Sequence, residues 1–145
     1  MAISKNRYGY CCINLSVHWK VGRRMQKAKW LREGINLAAE LAYQNFSDMF
    51  EIIKWNVNNN ILVYRMSSDM IPWMSEYEIT DLPNFEKLSS LLKEIGQWSI
   101  QHDIRLGFHP GHFSVLASLN PSIVQKSVKD IKLFKYLKEH LNDRP

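Results

Sequence analysis

Three polar clusters in this sequence have residue types that can do chemistry, and each one closes a short apolar run. Ile104-Arg105-Leu106-Gly107-Phe108 runs into His109-Pro110-Gly111-His112-Phe113. Pro110 removes a backbone donor and fixes φ, and Gly111 permits a positive φ, so the run stops there. His109 is then expected at the carboxyl end of a strand, with His112 and Phe113 on the turn beyond. Residues 61–66 end in Ser67-Ser68-Asp69, and the first apolar run is closed by Asn14 and Ser16, with Tyr10 inside it. Ligands and chemistry in α/β proteins collect outside the carboxyl ends of the strands. On such an edge His109 reads as a neutral imidazole ligand for a divalent metal, with Asp69 as a nearby carboxylate. The competing reading is a histidine that caps a strand and bonds to a backbone carbonyl. His112 is as well suited to touching a substrate as to ligating a metal. Phe113, Tyr10 and Trp73 fall on the same edge, where aromatics beside basic residues stack on or wedge between nucleic-acid bases, or simply pack a loop.

A single histidine and aspartate do not complete a multi-metal hydrolytic centre. No helical His-Glu-x-x-His, zinc knuckle, P-loop or dinucleotide fingerprint is present. His18, His102 and His140 read as surface or cap residues. Trp55, Trp98 and Phe134 sit at helical spacing and are most simply core.

The elements that would position these clusters follow from periodicity. Residues 7–14 form a first strand rich in aromatic and small apolar side chains. Residues 15–32 form a long basic connection. Residues 33–59 carry an apolar stripe of Leu37, Leu41, Phe46, Met49, Ile52, Ile53 and Val57 that predicts a helix, stopped by an asparagine run. Residues 61–66 read as a strand buried on both faces. Residues 70–81 form a second loop. Residues 84–102 form a second helix, with Asn84 as its N-cap. Residues 104–108 form the third strand. Pro121 opens a third helix whose apolar face carries Ile123, Val128, Ile131, Leu133, Phe134, Leu137 and Leu141. The order βαβαβα predicts parallel strands with right-handed crossovers. Three such units make either a small open α/β sheet or the first part of a barrel, since a closed barrel takes about eight units and ~250 residues.

The chain of 145 residues is the size of one domain, and 46% of it is hydrophobic, enough for a core. No apolar run approaches the ~20 residues of a membrane span, and an intracellular protein is expected. Cys11 and Cys12, being adjacent, are expected to be small, buried, reduced side chains. Lysine and arginine number 19 against 14 acidic residues. The excess is concentrated in Lys20, Arg23, Arg24, Lys27, Lys29 and Arg32, either a solvated face or a segment that tracks phosphates.

These residues support a family resemblance. The chain resembles the amino-terminal half of the UV damage endonuclease family in Tyr8-Gly9-Tyr10 with Asn14-Leu15, in Asn45-Phe46-Ser47-Asp48-Met49, and in Ile52-Ile53-Lys54-Trp55-Asn56. It continues in Tyr64-Arg65-Met66-Ser67-Ser68-Asp69-Met70-Ile71-Pro72, in Phe108-His109-Pro110-Gly111-His112-Phe113 and around Ser127. The resemblance implies a TIM barrel, here a partial one of three βα units. It implies divalent metals, usually manganese, at the carboxyl ends of the strands, and incision of the DNA backbone immediately 5′ of a UV photoproduct. It makes His109 a metal ligand and places Tyr10 and Asn14 in the DNA-facing groove. His112 and Phe113 match the pair that wedges into the duplex, with His112 in place of the usual glutamine. The position of Asp69 varies in the family. Further metal ligands come from later strands in the family, so a second polypeptide completing the barrel is expected among the partners.

The expected function is therefore a metal-dependent DNA-repair endonuclease fragment. His109 and Asp69 would be its catalytic candidates, and Tyr10, Asn14, His112, Phe113, Arg23, Arg24 and Lys27 would be at the DNA. The alternatives are a non-catalytic nucleic-acid-binding half-barrel, or another metal-dependent barrel enzyme of the abasic-site endonuclease or sugar isomerase kind.

Overall fold

The two hydrophobic periods of the sequence, two for strands and 3.6 for helices, alternate three times. The computed structural model follows that order: β1 (Gly9–Cys11), α1 (Lys27–Asn58), β2 (Val63–Arg65), α2 (Phe85–Gln101), β3 (Arg105–Gly107) and α3 (Pro121–Leu141). Two 3-10 turns, Met74–Glu76 and Ile79–Asp81, lie between β2 and α2. The structure describes residues 6–108, 111 and 114–141.

The strands form one parallel sheet in the order β1-β2-β3, with Tyr10, Tyr64 and Leu106 aligned in register. Each strand is shorter than the sequence suggests, because only the stretch with a paired neighbour keeps the ladder. Gly9 lets β1 come close: a Cβ there would stand 2.0 Å from the Val63 carbonyl oxygen.

Expectation and structure part over β2, which is buried on one face only. Tyr64 is buried while Arg65 is exposed, and on β3 Leu106 is buried while Arg105 is exposed. Strands in sequential order with crossovers of one hand put every helix on the same side, so the other side is left open among the described residues. The same geometry corrects the cysteines. Both are free thiols, as expected, but Cys11 is exposed and Cys12 half-buried, since β1 is an edge strand and Cys11 points to the open face.

α1 starts earlier than the apolar stripe indicates. Residues 27–33 of the basic connection are helical, and Gly34, at φ 59° and ψ −146°, separates them from the main helix. That backbone region is open essentially to glycine alone. From there the helix buries Ala38, Ala42, Phe46, Met49, Ile52 and Ile53 against Tyr64, Leu88, Leu92, Ile95 and Ile104. Burial of each large side chain in this set contributes about 1.5–3 kcal/mol. Asn59 caps the helix and Asn60 takes φ 56°, the left-handed geometry that asparagine tolerates.

Asn84 precedes α2 but makes no side-chain cap bond. Its amide instead donates to the Ala39 carbonyl at 2.9 Å, tying α2 to α1. α2 and α3 touch at Gly96, where a Cβ would lie 2.3 Å from the His140 carbonyl oxygen. On α3 only the stripe through Ser127, Leu137 and Leu141 is buried. Ile123, Val128 and Ile131, expected on its apolar face, are exposed. They lie on a flank of α3 that no described element covers.

Candidate active site

The polar tip of β2 lies at the carboxyl edge of the sheet, beside Gly111 beyond β3. β2 runs into Ser67, Ser68 and Asp69, all half-buried. The Ser67 hydroxyl accepts the Asp69 N–H at 3.2 Å, turning the chain back after the strand. Gly111, beyond β3, sits against Ser68: a Cβ on it would be 3.6 Å from the Ser68 hydroxyl oxygen. Between this edge and the basic segment opens a cavity of about 340 Å³, bordered by Arg23, Arg24, Ser68, Asp69, Trp73 and Gly111.

Arg23 and Arg24 reach this edge because the basic segment is pinned to the body of the fold. Asn45, fully buried on α1, accepts the Arg23 N–H at 2.9 Å and donates to the Met70 carbonyl at 3.0 Å. One amide thus joins the basic segment to the loop after β2. Arg23 pairs with Asp48 at 2.6 Å, and Arg24 pairs with Asp69, its Nε at 2.9 Å from the Asp69 carboxylate. The Trp73 indole N–H donates to the Met25 carbonyl at 2.8 Å, and Trp30 stacks on Trp73 with ring centres 5.5 Å apart and planes within 6°.

On the far side of the cavity Asp130 of α3 accepts a bond from the Ser114 hydroxyl at 3.1 Å. Burial raises its carboxyl above the ordinary aspartate value, against the lowering effects of the Ser114 bond and the Lys126 charge. Lys126 in turn pairs with Glu76 at 2.7 Å and holds that carboxyl below its usual range, docking α3 on the first 3-10 turn.

Arg23, Arg24 and Asp69 therefore come together as a group. Lys27 is exposed in the first turn of α1 and does not border the cavity. Tyr10 lies elsewhere, its ring on the helix-covered face of the sheet. It packs edge-on against Tyr64, and its hydroxyl donates to Asn56 at 2.7 Å. Burial raises the Tyr10 phenol, while bonds to Asn56 and Asn14 oppose the rise. Asn14 accepts the Ser16 N–H at 2.8 Å through its side-chain oxygen. His109, His112 and Phe113 lie outside the described residues. His102 and His140 are helix-end residues, each bonded to a carbonyl four residues back and stacked on Trp98 and Tyr136.

The sequence names Asn45 and Asp48 only as part of a stretch shared with the family, with no role at the site, and does not single out Asp130. The first left a visible signal. Asn45 and Asn56 both occupy positions of the α1 apolar stripe, and a polar residue in a buried stripe is the informative exception. Asp130 left none, because its place at the cavity depends on how α3 crosses the sheet edge.

Comparison with known proteins bears on the family and the fold. A family model described as UV-endonuclease UvdE matches residues 6–143. The UV DNA damage endonuclease of Clostridium perfringens is 28% identical over 126 residues, covering 87% of this chain and 30% of that protein. The UV-damage endonuclease of Schizosaccharomyces pombe is 30% identical over 134 residues, covering 88% of this chain and 22% of that one. The crystal structure of SacUVDE superposes with a TM-score of 0.81 at 27% identity, over 93% of this chain and 45% of that chain. The chain thus spans less than a third of the length of those two curated relatives.

Proposed function

Since this chain belongs to the UV-endonuclease UvdE family, we propose that it is part of a DNA-repair nuclease that cuts the DNA backbone 5′ of UV photoproducts. The observation that carries the reading is the cavity at the carboxyl edge of the sheet, bordered by two arginines, Ser68, Asp69 and Gly111. Arg23, Arg24 and Lys27 supply positive charge for backbone phosphates, so binding should depend on salt and little on sequence. His112 and Phe113 belong to the turn that enters the duplex, which is then recognised by its ease of kinking. Tyr10 and Asn14 complete the DNA-facing side in this reading.

The reading includes a divalent metal, manganese by preference, with His109 as one ligand and Asp69 as a second candidate. Among the described residues no three histidine, cysteine or acidic side chains come together to hold a metal. Asp69, moreover, is paired with Arg24. The described residues alone do not make the centre. The missing ligands, and the remainder of a barrel of which this sheet would be the first three units, would come from sequence outside these 145 residues, on the same polypeptide or a second one. Location inside the cell follows from a DNA substrate. Among the described residues no helix is long and apolar enough to cross a membrane.

The test mixes the chain with carboxyl-half proteins of the family and manganese, and measures nicking of UV-irradiated plasmid. Nicking 5′ of photoproducts that is lost in His109→Ala supports the proposal. Absence of nicking with every complement, beside an active full-length relative, refutes it. Metal-independent binding unaffected by His109→Ala would instead favour the non-catalytic nucleic-acid module.

A further inference from the structure

Two adjacent arginines of the basic segment are held in very different ways. Arg23 is fixed: its guanidinium bonds to Asp48 and to the Lys20 carbonyl, both at 2.6 Å, and its backbone N–H bonds to buried Asn45. The Arg23 and Asp48 side chains are 31% and 25% exposed. Arg24 is 79% exposed, and both its Nε and a terminal nitrogen converge on one oxygen of Asp69, itself 40% exposed. Solvent screens an ion pair of this kind, and holding two long side chains together lowers their entropy, so it exchanges readily. A phosphodiester offers a guanidinium the same anionic oxygen in the same hydrogen-bonding geometry.

We infer that in the free protein the Asp69 carboxylate occupies the seat of a backbone phosphate on Arg24, and that a phosphodiester entering the cavity displaces it. The basic segment stays docked when this pair opens. Arg23, the bond from Trp73 to the Met25 carbonyl and the stacking of Trp30 on Trp73 all hold it independently of Arg24. The exchange is therefore a single side-chain event. It sets a threshold for anions at the cavity mouth, because any other ligand must outcompete a tethered carboxylate. It also releases the Asp69 carboxylate from Arg24 only when a phosphate is seated. The inference rests on the proposed DNA substrate for the source of the phosphodiester, and on geometry alone for the exchange.

Two measurements separate these. Binding of duplex DNA is followed by fluorescence anisotropy across a salt series for the full chain, Asp69→Asn, Arg24→Gln and the double variant. Asp69→Asn is expected to bind about fivefold more tightly, the equivalent of releasing one exposed ion pair. Arg24→Gln should bind more weakly and lower the salt slope by about 1. In the Arg24→Gln background the gain from Asp69→Asn should largely vanish. An equal gain in both backgrounds reduces Asp69 to general charge and overturns the inference, as does weaker binding by Asp69→Asn. Independently, the Arg24 Nε–H proton resonance is followed on titration with a short oligothymidylate. It should move to the same end point that Asp69→Asn protein reaches in the same titration, and a resonance that stays in place overturns the inference whatever the duplex does. Failure of every form to bind duplex, with the resonance still responding, refutes the DNA reading and leaves the exchange intact.

Discussion

Replacing Asn45 by alanine should loosen the cavity wall and destabilise the fold together. The Asn45 amide makes two short bonds, accepting from the Arg23 N–H at 2.9 Å and donating to the Met70 carbonyl at 3.0 Å, with longer contacts of 3.4 Å to the Arg23 and Asp69 carbonyls. Met70 is buried, so its carbonyl cannot turn to water when the donor is removed, whereas half-buried Arg23 recovers part of its loss. An orphaned buried polar group costs about 1–3 kcal/mol. The two groups together give an expected loss of about 2–4 kcal/mol, a large share of the ~5–15 kcal/mol that holds a domain of ordinary stability. Asn45→Asp separates the two bonds. It keeps an acceptor for the Arg23 N–H but turns an oxygen toward the Met70 carbonyl, so near neutral pH it should cost at least as much as alanine. Urea unfolding followed by circular dichroism gives the stability, and anisotropy with duplex DNA shows whether the basic segment still presents Arg23 and Arg24. An Asn45→Ala protein within about 0.5 kcal/mol of wild type, the range of ordinary surface substitutions, and with unchanged binding, would show that the segment is held by something other than this amide.

Two further expectations follow from close approaches and burial. Gly96→Ala places a methyl 2.3 Å from the His140 carbonyl oxygen; overpacking of about 1–3 kcal/mol should outweigh the helix-propensity gain of about 1 kcal/mol, and a raised Tm would refute the tight α2–α3 contact. Asp130 is raised by burial, so its contribution to stability is full below the unfolded carboxylate value of about 3.9 and is lost as pH rises through the raised folded value. Asp130→Asn should therefore gain on wild type in urea midpoint between pH 3 and pH 7, and a constant difference across that range would contradict the burial argument.

The alternation of three strands and three helices was legible in the sequence because each period is local. The stripe from Ala38 to Ile53, the asparagine stop at 59–60 and Pro121 at the start of α3 depend on neighbours within a few residues. The family was legible for a related reason, since its motifs are short local stretches, after the strands and along α1, where residue type is tied to position. Tertiary structure alone decided the rest. Whether β2 is covered on one face or two depends on which side its helices take. Asn84 joins α1 instead of capping α2 because Ala39 happens to lie within reach. Ile123, Val128 and Ile131 have core chemistry, yet they are exposed because burial needs a close neighbour and no described element packs over them. At the site, composition announced a basic segment, but only folding across 45 residues set Arg24 on Asp69 and left Arg23 to Asp48. Charge can be counted along a chain; which charge meets which is a property of the packed backbone.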